Sequence, residues 1–167
     1  MALILGIDPG SIKTGFGIIS HQGSHSEYVT SGLIRLPRKS MPERLRIIHD
    51  SVSELVAQYC PQELAIEEVF MHRDAKAAIK LGQARGAAIV ACMVQDMPVF
   101  EYAPKSIKLA VVGTGGADKV QVQHMVKSLL KLPAAPQEDA ADALAVALCH
   151  AHTQQSMIRM ARSRLAK

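Results

Sequence analysis

The apolar run Leu3-Ile4-Leu5-Gly6-Ile7 ends on a carboxylate, Asp8, and the turn tripeptide Asp8-Pro9-Gly10 follows at once. A run without polar alternation is the pattern of a strand buried on both faces, which requires helices on each side of a sheet. A second short run, Leu64-Ala65-Ile66, is stopped in the same way by Glu67, with Glu68 beside it. Two further acids, Asp139 and Asp142, open an alanine-rich stretch that continues through Leu148. Acids at the mouths of buried strands are costly unless something positive gathers them.

The elements around these acids follow from turn and cap signals. Segments 14–20 and about 27–36 read as strands joined by a turn at 21–24, so the chain begins with an antiparallel meander. Ser40-Met41-Pro42-Glu43 is a capping-box pattern, and Leu45, Ile48, Val52, Leu55, Val56 and Tyr59 recur behind it at helical spacing until Pro61. A short strand at 63–67, a long helix from about 74 to 96 and a short strand at 99–102 come next. Pro104 begins a helix of about two turns, Asp118 caps another that reaches 130, and a last helix is expected from about 138 to 152. The order βββ-α-β-α-β-α-α-α calls for a mixed sheet, antiparallel on one side and parallel on the other, flanked by helices.

Composition limits the classes open to such a chain. Its 167 residues suit a single domain that buries about 70% of its unfolded surface without disulfides. Trp is absent and aromatics make up 4%, so Leu, Ile, Val, Met and Ala build the core. Cys60, Cys92 and Cys149 form no CxxC pair, which argues against a disulfide framework or a thiolate zinc site. The first apolar run is too short for a signal peptide and no segment is long enough to span a membrane, so the expectation is a cytoplasmic protein. A net charge of +4 leans toward a polyanionic partner. No acid follows Asp142, while Arg159, Arg162, Arg164 and Lys167 crowd the end; residues 154–167 are read as a basic, solvated and frayed tail.

Each acid has an ordinary explanation alone: turn chemistry for Asp8, a strand-end surface group for Glu67, and helix-dipole complements for Asp139 and Asp142. Together they suggest more. If the strands ending at Asp8 and Glu67 are parallel neighbours, both carboxylates stand at the carboxyl edge where open α/β sheets bind ligands. Asp139 and Asp142, three apart, share a helical face that can be brought against that edge. Four acids so gathered need cations to remain ionised. Oxygen-only donors favour Mg²⁺, with Mn²⁺ as the alternative, over zinc. Two such ions suit in-line displacement at a phosphodiester. Adjacent strand residues face opposite ways, so only one of Glu67 and Glu68 aims at the site, and spacing leaves open which.

Four segments resemble the RuvC Holliday-junction resolvases: Ile4-Leu5-Gly6-Ile7-Asp8-Pro9-Gly10-Ser11, Ala65-Ile66-Glu67-Glu68-Val69-Phe70, Lys80-Leu81-Gly82-Gln83-Ala84-Arg85-Gly86 and Asp139-Ala140-Ala141-Asp142-Ala143-Leu144-Ala145. The resemblance runs in order from residue 2 to about 152. It implies an RNase H-like fold over 1–153, a homodimer, and Mg²⁺-dependent endonuclease activity that resolves four-way DNA junctions by paired symmetric nicks in recombination and repair. It implies two ions per site, 5′-phosphate and 3′-hydroxyl ends, and a RuvA–RuvB branch-migration complex as partner. Carried over by position, the catalytic and metal-binding carboxylates are Asp8, Glu67, Asp139 and Asp142, which selects Glu67 over Glu68 by likeness. Glu68 and Glu138 stay open as accessory acids.

For DNA, the resemblance makes Phe70 an exposed ring that stacks on a base near the crossover. Arg73, Lys76 and Lys80 form a basic stripe at i, i+3 and i+7 of the long helix. Arg85 is counted with them. Lys105, Lys108 and Lys119 flank the loop 113–116, which lacks the Gly-Lys-Ser/Thr ending of a nucleotide-binding loop. The resemblance matches Lys108 and Lys119 to positions that hold the backbone near the scissile phosphate. His150 and His152 are read as a helix end without a catalytic role. Gly82, Gly86, Ala87 and Ala91 are the expected dimer surface. Two rivals remain: an actin-like nucleotide-binding domain, suggested by Asp8-Pro9-Gly10 with Thr14-Gly15, and a junction-binding module without activity.

Overall fold

A computed structural model describes residues 1–68 and 74–165. Phe70 and Arg73 lie outside the described residues. Five strands, β1 (Ala2–Asp8), β2 (Lys13–Gln22), β3 (His25–Arg35), β4 (Glu63–Glu67) and β5 (Val99–Tyr102), form one sheet in the order β3-β2-β1-β4-β5. β1 and β2 pair antiparallel, as do β2 and β3, while β1–β4 and β4–β5 are parallel. The expected mixed sheet is therefore present, with the change from antiparallel to parallel at β1.

Two layers of helix cover it. α1 (Met41–Tyr59) and α2 (Ala75–Met93) lie on one face; α3 (Pro104–Val112), α4 (Lys119–Leu129) and α5 (Glu138–Leu165) lie on the other. Alternation along the strands divides the core accordingly. Leu5, Ile7, Leu64 and Ile66 pack with Ile48, Val52, Ala88 and Cys92 toward α1 and α2. Ile4, Ile19 and Ala65 pack with Leu144, Ala147 and Leu148 toward α5. The capping box is formed at α1, where the Ser40 amide donates to Glu43 at 3.0 Å. α3 ends at Gly113, whose φ of 86° lies in the left-handed region that glycine enters without a steric cost.

α5 lies so close to the sheet that the strands beneath it have no side chains there. A Cβ on Gly6 would sit 2.0 Å from the Ala143 carbonyl oxygen, and one on Gly15 would sit 2.1 Å from that of Asp139. Bare backbone is what brings the start of this helix down onto β1 and β2.

α5 also runs well past 152, to Leu165, so the expected helix end is corrected for the described residues. Nothing between Glu138 and Leu165 is Gly or Pro, and Met157, Arg159, Met160 and Arg162 favour the helix without packing. No described helix is long and apolar enough to cross a membrane.

Candidate active site

β1 and β4 run in parallel with Ile7 opposite Ile66, so the next residues, Asp8 and Glu67, emerge side by side at the carboxyl edge. Both share the parity of Gly6 and Ala65, the residues that meet α5, and so point to the α5 side of the sheet. Glu68 follows with the opposite parity and is exposed. Register therefore separates the two glutamates, which spacing alone left open.

The first turn of α5 brings its acids to the same edge. Asp8, Glu67 and Asp142 line an open cleft of about 420 Å³ together with Lys108, Lys119, Pro104, Ile107, Val122 and Ala145. Lys108 comes from α3. Lys119 is the first residue of α4, behind its Asp118 cap, whose side chain accepts from the Gln121 amide at 2.8 Å. The cleft thus has a carboxylate floor and one wall bearing two ammonium groups.

Lys119 reaches across to pair with Glu138 and lies 3.6 Å from Asp142. Asp139 stands apart from the cleft. Its Oδ2 pairs with Lys13 and accepts from Gln137 Nε2 at 2.7 Å. Among the described residues, no three His, Cys, Asp or Glu side chains already stand in a coordinating array.

The electrostatics are asymmetric. Burial pushes the Asp8 carboxyl up to about 8, with Asp142, Glu67 and Asp139 adding repulsion and Lys119 opposing it. Glu67 is raised by burial and then by Asp142, against Lys119 and Lys108. Asp142 is raised by burial, with Lys119 opposing and Glu138 adding. Burial also acts upward on Asp139, but the hydrogen bonds from Lys13 and Gln137 outweigh it and hold this carboxyl below its usual value. Three acids are therefore undercompensated and one is not. An excess of hard oxygen donors that repel one another in a recess is what a hard divalent cation fits.

Lys76 and Lys80 are exposed on α2, outside the cleft, and Lys105 packs its stem beside Gly115. Arg85, expected on DNA, turns inward. Its Nε donates to the Glu67 carbonyl at 3.0 Å, and its Nη2 lies 2.7 Å from Glu101. The reason is its place on α2 facing the sheet, where a guanidinium bridges two strand ends. His150 is also more than a helix end. It is fully buried, with Nδ1 2.6 Å from the Tyr102 hydroxyl and Nε2 2.9 Å from Glu63. The ring engages both groups at once, one through each nitrogen. Neither that network nor the role of Lys13 was visible beforehand, because each joins residues far apart in the chain.

A family profile described as "Crossover junction endodeoxyribonuclease RuvC" matches residues 4–150. The protein of that name from Teredinibacter turnerae is 60% identical over 169 residues, covering 98% of this chain and 96% of its own. That from Vibrio parahaemolyticus is 58% identical over 161 residues, covering 96% and 93%. Among solved structures, Thermus thermophilus RuvC in complex with a Holliday junction substrate superposes with a TM-score of 0.88 at 34% identity, covering 93% of this chain and 96% of that one. The yeast mitochondrial Holliday junction resolvase, at 12% identity and a TM-score of 0.64, shares the fold. With the profile spanning most of its length and relatives this similar from end to end, the chain belongs to the RuvC family of crossover junction endodeoxyribonucleases.

Proposed function

We propose that this protein is a divalent-metal-dependent endonuclease that resolves Holliday junctions by paired, symmetric nicks. The observation that carries the reading is the cleft in which Asp8, Glu67 and Asp142 face Lys108 and Lys119. Family membership supplies the junction as substrate and makes a RuvA–RuvB complex the natural partner.

Asp8, Glu67, Asp142 and Asp139 would hold two Mg²⁺ ions. Ions held there supply the Lewis acidity and charge neutralisation that in-line displacement at phosphorus requires, leaving a 5′-phosphate and a 3′-hydroxyl. The protein's own groups do the rest. Lys108 and Lys119 bind non-bridging oxygens and fix the phosphodiester over the carboxylates. Pro104, Ile107, Val122 and Ala145 line the cleft with apolar surface, which lowers the local dielectric and strengthens those charge contacts. Arg85 ties the end of β4 to α2 and so fixes the backbone from which Glu67 projects.

Paired nicks call for two copies. On α2 and its C-cap Val94, the side chains of Ile79, Val90, Met93 and Val94 are exposed in a stripe that includes Gly82 and Gly86, where an added Cβ would meet open space. Ala84, Ala88 and Ala91 face inward, so Ala91 belongs to the protein's own core and not to the dimer surface expected for it. A two-fold dimer through this stripe would present identical sites in opposite orientation.

The test is a synthetic four-way junction with Mg²⁺, wild type beside Asp8→Asn. Ligatable nicks at symmetric positions from the wild type, and junction binding without cutting from the variant, are expected. Binding without cutting by both proteins would reduce the reading to a junction-recognition module. Sedimentation at micromolar concentration tests the dimer.

A further inference from the structure

Asp139 is the one expected metal ligand that does not line the cleft, and the residue that holds it aside is Lys13. Lys13 opens β2 directly after the turn that follows Asp8. That turn is pinned: the Gly10 amide donates to Thr14 Oγ1 at 3.2 Å, and the same hydroxyl donates to the Gly10 carbonyl at 3.1 Å. Thr14 is fully buried. The main chain of Lys13 is thereby fixed beside the first turn of α5, with its ammonium on Asp139 Oδ2. Gln137 brackets the same aspartate, its Nε2 on Oδ2 at 2.7 Å and its Oε1 accepting from the Asp139 amide at 2.9 Å.

The two lysines that pair with acids here therefore differ in kind. Lys119 lines the cleft and spans Glu138 and Asp142, where it is in place for a phosphate. Lys13 lies outside the cleft and pairs with one carboxylate only. Its side chain keeps 46% of its surface exposed, so it can swing into solvent without opening a void. An ammonium and a divalent cation neutralise the same carboxylate charge, so each weakens the drive of Asp139 to bind the other.

We propose that Lys13 is a positioning residue of the metal site: an internal counter-ion that holds Asp139 out of the cleft and is exchanged for the cation when the site loads. This rests on the metal-dependent reading given above. It makes metal loading a change of partner at Asp139, not the filling of a finished cage.

The experiment is a Mn²⁺ titration of metal-stripped protein without DNA, followed by the electron paramagnetic resonance signal of free Mn²⁺. Lys13→Met is expected to tighten the weaker ion by about 2–5-fold, the range for removing an exposed competing pair. Lys13→Arg keeps the counter-ion and is expected to bind as the wild type does. Arg159→Gln removes an equal charge about 30 Å away along α5 and is expected to change nothing. The gain should vanish when Lys13→Met is combined with Asp139→Asn. A Lys13→Met isotherm matching the wild type, a gain equalled by Arg159→Gln, or a gain that persists beside Asp139→Asn each overturns the proposal. If Asp139→Asn alone leaves Mn²⁺ binding intact, Asp139 is no ligand and the metal assignment itself fails. If it weakens binding while Lys13→Met changes nothing, only the counter-ion role fails.

Discussion

Arg85 donates from Nε to the main-chain carbonyl of Glu67 at 3.0 Å, tying a helix on one face of the sheet to the backbone of a residue that projects from the other. The same guanidinium sits 2.7 Å from Glu101 on the neighbouring strand, close enough to pair as charges though not aligned as a hydrogen bond. Lysine cannot make both contacts from one planar group. Arg85→Lys is therefore expected to fold and to bind junction DNA normally, and to lower the single-turnover nicking rate by about 10-fold through a misplaced Glu67. Unchanged nicking would reduce the contact to a structural tie.

Metal-free stability should carry the signature of Asp8. Its carboxyl ionises near 3.8 when unfolded and at about 8 when folded, so between those values the folded state holds a proton that the unfolded state lacks. That contribution is complete below the unfolded value and is lost as pH rises through the folded one. In EDTA, Asp8→Asn should melt above the wild type by a margin that widens from about pH 4 to pH 8 and then levels off. Excess Mg²⁺ should reverse the order, since the variant lacks the charge that the ion stabilises. Parallel melting curves across that pH range would show that Asp8 is not strained by its neighbours.

Gly15 pairs with Asp8 across β1 and β2, and a Cβ there would lie 2.1 Å from the Asp139 carbonyl oxygen. Since backbone cannot rotate away as a side chain does, Gly15→Ala must lift the start of α5. The expected cost is about 1–3 kcal/mol by urea unfolding, with a larger loss of Mn²⁺ affinity than of stability. Wild-type metal binding in this variant would mean that α5 tolerates the displacement.

His150→Ala should behave in the opposite sense. It strips partners from Glu63 and the Tyr102 hydroxyl beneath a fully buried position, at an expected cost of about 2–4 kcal/mol in urea. Metal affinity at temperatures where the variant stays folded should be unchanged, because the acids of α5 lie two to three turns away. A shift in metal affinity would make the network part of the site.

What could be read before the fold was known depended on distance along the chain. Strand and helix limits near Pro9-Gly10, Ser40 to Glu43, Pro61 and Pro104 were legible because their causes are local. The meeting of Asp8, Glu67 and Asp142 at one edge was foreseeable from the order of elements; the place of Asp139 beside that cleft, on Lys13, was not. Which of Glu67 and Glu68 faces α5 was not, since a period of two says that neighbours oppose and only register says which way each points. Lys13 pairs with a residue 126 positions later, and Glu63 finds His150 87 positions later; no local pattern encodes either. The end of α5 was misplaced because an exposed stretch of helix-forming residues without a stop signal resembles a solvated tail.

The glycine floor under α5 sets a tolerance as well as a position. Two of the acids belong to the sheet and two to one helix, and the gap between these parts is the thickness of bare peptide. One methyl group on Gly6 or Gly15 is a wedge between them. The separation between the two pairs of carboxylates is thus governed by what the sheet lacks, and sequence drift at these two positions would shift it without altering any of the four acids.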